Sequence, residues 1–162
     1  MNGGINLSPS DLKSQTLEMI SNFESRLGLP PNILSDTEEY KTYLSMDISQ
    51  LEKLDLKDCA NISYKLSQFS LYIQRCVNRE KALSRTLKNK INNIIAPKIT
   101  QYSGSWDLQR ASAIADNDAS QILQEQLIES EAKQDSLEYI SNGIKEMASH
   151  MKNLQYAKRS NE

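Results

Sequence analysis

The sequence predicts an all-α fold: a long antiparallel helical hairpin preceded by short helices and self-associating into a ring-like oligomer. Three observations carry that expectation. Apolar residues recur at steps of three and four through two long stretches, which is the signature of a buried helical stripe. Four prolines and five glycines in 162 residues leave few breaks, which favours long helices over a sheet with many turns. Only 38% of residues are apolar and 6% aromatic, which is thin for a self-contained core, so subunit contacts are expected to supply part of the burial.

Taken in order, residues 8–27 read as a first helix. Ser8-Pro9 supplies a cap followed by proline at the first helical position, and Gly28 with Pro30-Pro31 stops it. Leu12, Met19, Ile20, Phe23 and Leu27 make its modest apolar face, and GLPPN over 28–32 is the strongest linker. A shorter helix is expected around Asp36–Leu44, and the spacing of Ile48, Leu51 and Leu54 suits a further helical turn or two. From about Asp58 the pattern is regular: Ile62, Leu66, Phe69, Ile73, Cys76, Glu80, Leu83, Leu87, Lys90 and Ile94 form a heptad seam with eight of ten positions apolar. Glu80 and Lys90 interrupt it, and 3.6-residue packing can place Val77 and Ile91 instead. Pro97 lacks an amide hydrogen and should end or kink this helix near Ala96. A turn at Gln101–Gly104 and a short helix over Trp106–Ala115 lead to Asp116-Asn117-Asp118, read as a helix junction or cap. The last helix runs from about Asp118 to Lys158. Its seam of Leu137, Ile140, Ile144, Met147, Met151 and Leu154 is the expected oligomerisation surface, and Gly143 within it costs about 1 kcal/mol against alanine. Residues 1–45 are read as an N-terminal extension and 46–162 as the hairpin domain.

The net charge of −2 conceals segregation. Residues 1–57 carry −4, residues 58–103 carry +6 and residues 104–162 carry −4. Between Arg75 and Lys98 stand seven cations against one anion. On charge alone two readings stand: a nucleic-acid surface, or pairing with the acidic flanking segments within the chain or across an oligomer. Tyr64, Tyr72, Tyr102 and Trp106 flank the region and favour the first. Cations along a backbone together with aromatic rings that stack bases are the means of sequence-tolerant single-strand binding.

Catalysis finds little support. There is no Gly-rich phosphate loop, nucleophile elbow or HExxH spacing, and no cofactor or metal is expected. His150, the single histidine, reads as a surface or packing residue. Asp116 and Asp118 read as helix caps rather than an acidic metal pair, and Cys76 reads as packing on the seam. No apolar run is long enough to cross a membrane, and the N-terminus lacks the pattern of a signal peptide. With Cys59 and Cys76 outside any metal-ligand spacing, a reducing cytoplasm is the expected compartment.

From about Asp47 to the C-terminus the chain resembles the UvsY-type recombination mediators of T-even-like phages. The resemblance rests on three features in order: a long basic helix ending in Tyr102-Ser103-Gly104, the Ala115-Asp116-Asn117-Asp118 junction, and a C-terminal helix with Ile144-Lys145 followed by Met151-Lys152-Asn153-Leu154-Gln155. It implies single-stranded-DNA binding, a closed ring of six or seven subunits, and loading of a RecA-like recombinase onto strands covered by single-strand-binding protein. It also implies basic contacts in the turn before Tyr102, where this chain has Ala96-Pro97-Lys98. Only Lys98 is basic there, which moves the expected contact to Arg85, Lys88, Lys90 and Lys98, with Tyr102 beside them. Residues 1–45 have no counterpart in compact members of the family. The rival expectation is a non-catalytic coiled-coil structural or adaptor protein, such as a virion or assembly component. Lys88→Ala combined with Lys90→Ala should weaken binding of a single-stranded oligonucleotide and leave the assembly state unchanged. Fluorescence anisotropy at low salt, run beside light scattering, tests this, and unchanged affinity would remove the DNA role from this helix.

Overall fold

The computed structural model describes residues 9–29 and 38–160, all in helices, turns and short connections. Six α-helices occur among them: α1 Pro9–Arg26, α2 Glu38–Leu44, α3 Ile48–Lys53, α4 Leu56–Ile95, α5 Trp106–Ala115 and α6 Asp118–Arg159. A 3-10 turn, Ile99–Gln101, lies between α4 and α5. The expected cap at Ser8, the linker residues Pro30, Pro31 and Asn32, and Asp36 at the expected start of the second helix lie outside the described residues. The chain groups into two compact units. The first combines α1 with Asn78–Gln134, and the second combines the segment through Val77 with that from Asp135. Both α4 and α6 therefore contribute one half to each unit.

Local chemistry explains where the helices start and stop. Gly28 adopts φ +70°, its amide donates to the Ser25 carbonyl (3.0 Å), and the Leu29 amide reaches back to Glu24 (3.1 Å). These two bonds form a Schellman close, which needs a left-handed residue where glycine stands. Asp47 and Gln50 make a reciprocal capping box at α3. Bonds from the Ser49 hydroxyl and the Gln50 amide hold the Asp47 carboxyl below the ordinary range. Asp55 accepts the Asp58 amide at 2.6 Å, so α4 begins at Leu56, slightly earlier than Asp58. At the α5–α6 junction the capping side chain is Asn117, which accepts the Ser120 amide at 2.9 Å. Of the aspartates on either side, both read as caps from the sequence, Asp116 is the C-cap residue of α5. Asp118 instead sits in the first turn of α6, where its charge suits the positive end of the helix.

In the first unit, Leu83, Leu87, Ile91 and Ile95 of α4 pack with Ile99, with Ala113 and Ile114 of α5, and with Leu123 and Leu127 of α6. Leu12 of α1 packs against this cluster. Arg79 ties the same helix down by a 2.6 Å bond to Glu24 and a 3.3 Å bond to Ser21. At the contact between α4 and α6 the buried hydroxyls of Ser84 and Ser130 meet at 3.0 Å, and Ser130 also reaches the Glu80 carboxylate at 2.7 Å. Glu80, half-buried at the edge of the stripe, thus has a hydroxyl partner.

In the second unit, Ile62, Leu66 and Ile73 of α4 pack with Ile144, Ala148 and Met151 of α6. Ser63 donates to the Ala148 carbonyl at 2.9 Å, and Ser70 stands 3.4 Å from Ser141. These pairings advance along α4 while retreating along α6, so the two segments run antiparallel here, as the seams predict. Tyr40 of α2 stacks on Phe69 with centroids 4.3 Å apart, and Lys65 pairs with Glu39. Lys158 closes onto the Glu52 carbonyl at 2.7 Å.

The buried stripe of α4 follows helical rather than heptad geometry. Val77 and Ile91 are fully buried, whereas Glu80, Lys90 and Ile94 are only half-buried. Ile91→Ala should therefore destabilise the fold by about 2–5 kcal/mol, the usual cost of truncating a buried isoleucine. Lys90→Ala should stay within about 0.5 kcal/mol. Urea unfolding followed by circular dichroism separates these outcomes, and equal midpoint shifts would contradict the assignment.

Candidate nucleic-acid interface

The second half of α4 offers cations in three different settings. With roughly 100° of rotation per residue, Arg85, Asn89, Asn92 and Ala96 align on one face, and all four are exposed. Lys88 lies beside that face and pairs with Glu131 of α6 at 2.6 Å, with both side chains about half exposed. Lys90 is turned roughly 140° from Arg85 around the helix and is half-buried. Lys98 is exposed beyond Pro97, where the chain leaves the helix. Among the described residues no ion pair engages Arg85, Lys90 or Lys98. The expected contact set is therefore split: Arg85 and Lys98 are available, Lys88 is shared with Glu131, and Lys90 faces elsewhere.

Pro97 shapes the end of this surface. The Ala96 amide still bonds to Asn92 at 2.9 Å, and the Lys98 amide then bonds to Ile95 at 2.9 Å. The tightened turn returns Ile99 to the core and leaves Ala96, Pro97 and Lys98 facing solvent. Gly104 follows at φ +113°, and a Cβ there would lie 2.6 Å from Leu108 Cδ2. The exposed Leu108 side chain could turn aside, so it is the positive φ that favours glycine there. Ser105 then caps α5, accepting the Leu108 amide, which makes Trp106 the first residue of the helix.

Trp106 is 64% exposed and lines an open pocket of about 250 Å³ with Asn92, Ile95, Ala96 and Ile99. The pocket thus begins where the Arg85–Asn92 face ends. Its apolar walls and flat indole can receive a planar ring, and the Asn92 amide can both donate and accept. Tyr102 has a different position. Its ring packs on the core of the first unit and its hydroxyl donates to Asp116 Oδ2 at 2.8 Å. That bond pins the turn before α5 to the junction before α6. The sequence signal for the Trp106 pocket was present but slight: a single tryptophan just after Gly104 and Ser105, read only as one of a flanking aromatic set.

The seam residues expected at an oligomer surface lie largely against the chain's own α4. Ile144 and Met151 are buried in the second unit, Leu137 and Met147 pack partly on the same cluster, and Leu154 is half-buried. Ile140 stands apart at 44% exposure. Cys59 is buried, Cys76 is half-buried, and neither takes part in a disulfide. His150 is exposed on α6. Among the described residues there is no cluster of three or more metal-ligating side chains and no helix long and apolar enough to cross a membrane.

Comparison of the chain with protein-family models, with curated proteins and with solved structures finds no match.

The Asp116 carboxylate accepting its proton raises the Tyr102 phenol above the ordinary tyrosine range, with burial adding to the effect. The folded state therefore holds this proton to higher pH than the unfolded chain. The resulting stabilisation is complete below the unfolded value of about 10 and is lost as pH rises through the folded value. Tyr102→Phe should lower the melting temperature near neutrality, and the gap from the unmodified protein should narrow toward alkaline pH. Paired thermal melts between about pH 8 and pH 11 measure that difference, and a gap constant with pH would argue against the bond.

Proposed function

We propose that this protein binds single-stranded nucleic acid without catalysis and acts as a recombination mediator. In this reading it holds a strand covered by single-strand-binding protein in a form that a RecA-like recombinase can occupy. The observation that carries the binding step is the exposed Trp106 beside an open apolar pocket at the end of a face bearing Arg85. Arg85 and Lys98 attract phosphates, and the indole stacks a base regardless of its identity. The order of Tyr102-Ser103-Gly104, the Asp116–Asp118 junction and the Ile144-Lys145 helix supports the mediator role through the resemblance to the UvsY-type proteins. Bending or wrapping the strand would weaken the grip of the covering protein and favour the first recombinase contacts. No step requires a cofactor.

A non-catalytic structural or adaptor role is the second reading, and a specific surface favours it. Met19 and Phe23 of α1 and Leu27, just past its end, recur at i, i+4 and i+8 and are 60–70% exposed. An apolar stripe of this kind suits a protein partner or another copy of the chain. The two readings separate in solution: the adaptor needs no oligonucleotide affinity, and its assembly is indifferent to DNA.

Trp106 is the only tryptophan in the sequence, so intrinsic fluorescence reports on the pocket directly. Titration with oligothymidylate should change the indole emission, and the affinity should fall with salt. Trp106→Ala should weaken binding on the order of tenfold to a hundredfold, since base stacking contributes about 1–3 kcal/mol per base. Arg85→Ala with Lys98→Ala should lower the log–log salt slope by roughly 1.4, about 0.7 per phosphate contact. An emission spectrum unmoved by saturating oligonucleotide would exclude Trp106 as the stacking platform.

A further inference from the structure

The second unit carries its own surface with the chemistry of a strand-binding groove. Between α4 and α6 lies an open groove of about 370 Å³, lined by Ser63, Ser67 and Leu71 on one side and by Lys145, Ser149 and Lys152 on the other. No carboxylate lines it. Lys145 donates to Gln74 Oε1 at 3.3 Å, and Lys152 stands over the Tyr156 ring at 5.9 Å. Both lysines line the groove and stand there without an ion-pair partner among the described residues.

The spacing and the walls narrow the class of ligand. Lys145 and Lys152 are two helical turns apart, roughly 10.5 Å along the axis, far enough to meet different phosphates of one strand rather than a single one. Ser149 is exposed between them, and lysine with serine hydroxyls is the ordinary set of donors to phosphate oxygens. The exposed Ser67 hydroxyl bonds back to the Ser63 carbonyl at 2.8 Å and can turn outward to a ligand. On α4, Tyr64 and Leu71 are 63% and 65% exposed and fall seven residues apart, on one helical face. Tyr64 does not line the groove; its hydroxyl accepts from Gln68 at 2.6 Å, and its exposed ring, on the Leu71 face, offers a stacking surface flanking the groove. A lone phosphate would use the lysines but leave the ring and the apolar wall without purpose.

We propose that this groove is a second contact for single-stranded nucleic acid, with Lys145, Lys152 and Ser149 holding phosphates and Tyr64 stacking a base. The proposal rests on the single-strand-binding reading above. It adds that binding is not confined to the basic half of α4.

The test uses the full chain, a dye-labelled oligothymidylate and a sodium chloride series read by anisotropy. Lys145→Gln with Lys152→Gln should weaken binding at low salt and reduce the log–log salt slope by roughly 1.4. The oligonucleotide-induced change in Trp106 emission should persist in this variant, and circular dichroism should show its helices intact. Lys53→Gln with Lys57→Gln, which removes two exposed charges of the same unit outside the groove, should leave the slope nearly unchanged. Tyr64→Ala should weaken binding severalfold with no change in slope. An unchanged slope in the Lys145/Lys152 variant, or an equal reduction in the Lys53/Lys57 control, overturns the second contact. If the unmodified protein fails to bind the oligonucleotide at all, the functional reading itself falls, an outcome distinct from the first two.

Discussion

The structure depends on how closely α4 and α6 can approach in each unit with so few large apolar residues between them. At each contact a pair of buried serines stands where bulkier side chains would hold the helices apart: Ser84 with Ser130 in the first unit, Ser70 with Ser141 in the second. Small side chains let helix backbones come near, and near backbones let the flanking leucines and isoleucines interdigitate on both sides. The hydroxyls are not orphaned by this arrangement, because each finds the other or a carbonyl. A leucine at any of these positions would force off-rotamer packing or separate the helices. The surrounding elements, α1 and α5 in the first unit and α2 and α3 in the second, cover edges that this contact leaves open.

The placement of positive charge follows from the same geometry. A helix with one buried stripe still has flanks, and cations on the flanks meet whatever packs beside them. Arg79 meets Glu24 of α1, Lys65 meets Glu39 of α2, and Lys88 meets Glu131 of α6. The acidic segments at either end of the sequence thus neutralise part of the basic middle within the chain. What remains outward is selective rather than diffuse. Arg85 and Lys98 remain outward near the Trp106 pocket, and Lys145 and Lys152 flank the serine-lined groove. Of the two charge readings open at the level of sequence, pairing within the chain is seen at Arg79, Lys65 and Lys88, and the nucleic-acid reading is proposed on the cations left outward.

Much of this was legible beforehand because it rests on local rules. Few prolines, long apolar periodicity and Pro97 located the helices, and Trp106–Ala115 and the start of α6 at Asp118 fall where their residues place them. The heptad seam was an approximation. Along α4 the buried stripe keeps the 3.6-residue period, and Val77 and Ile91 are buried where a strict heptad would have used Glu80 and Lys90. The site was less legible, because exposure is a property of neighbours distant in sequence. Nothing local to Tyr102 shows that Asp116 will accept its hydroxyl. Equally, Lys145 and Lys152 read as a solvated helix flank until Ser63 and Ser67 are placed opposite them. The seam of α6 was correctly seen as apolar, but its periodicity does not say whether the covering helix belongs to the same chain.

The division of α4 and α6 between two units also bears on the order in which the chain can acquire structure. Asn78–Gln134 is contiguous, and its hairpin closes over a modest loop as soon as residues near Leu127 are available. The second unit joins Ser63 to Ala148 and Ser70 to Ser141, partners 85 and 71 residues apart. Direct closure of so long a loop carries a larger entropic cost, but a hairpin already formed between them shortens the effective loop. During synthesis the first unit can therefore assemble while Ile144 and Met151 are still to be made, and the second completes its core last. Ile62, Leu66 and Ile73 meanwhile wait as an uncovered stripe, so an incomplete chain is most exposed to misassociation in its earlier half.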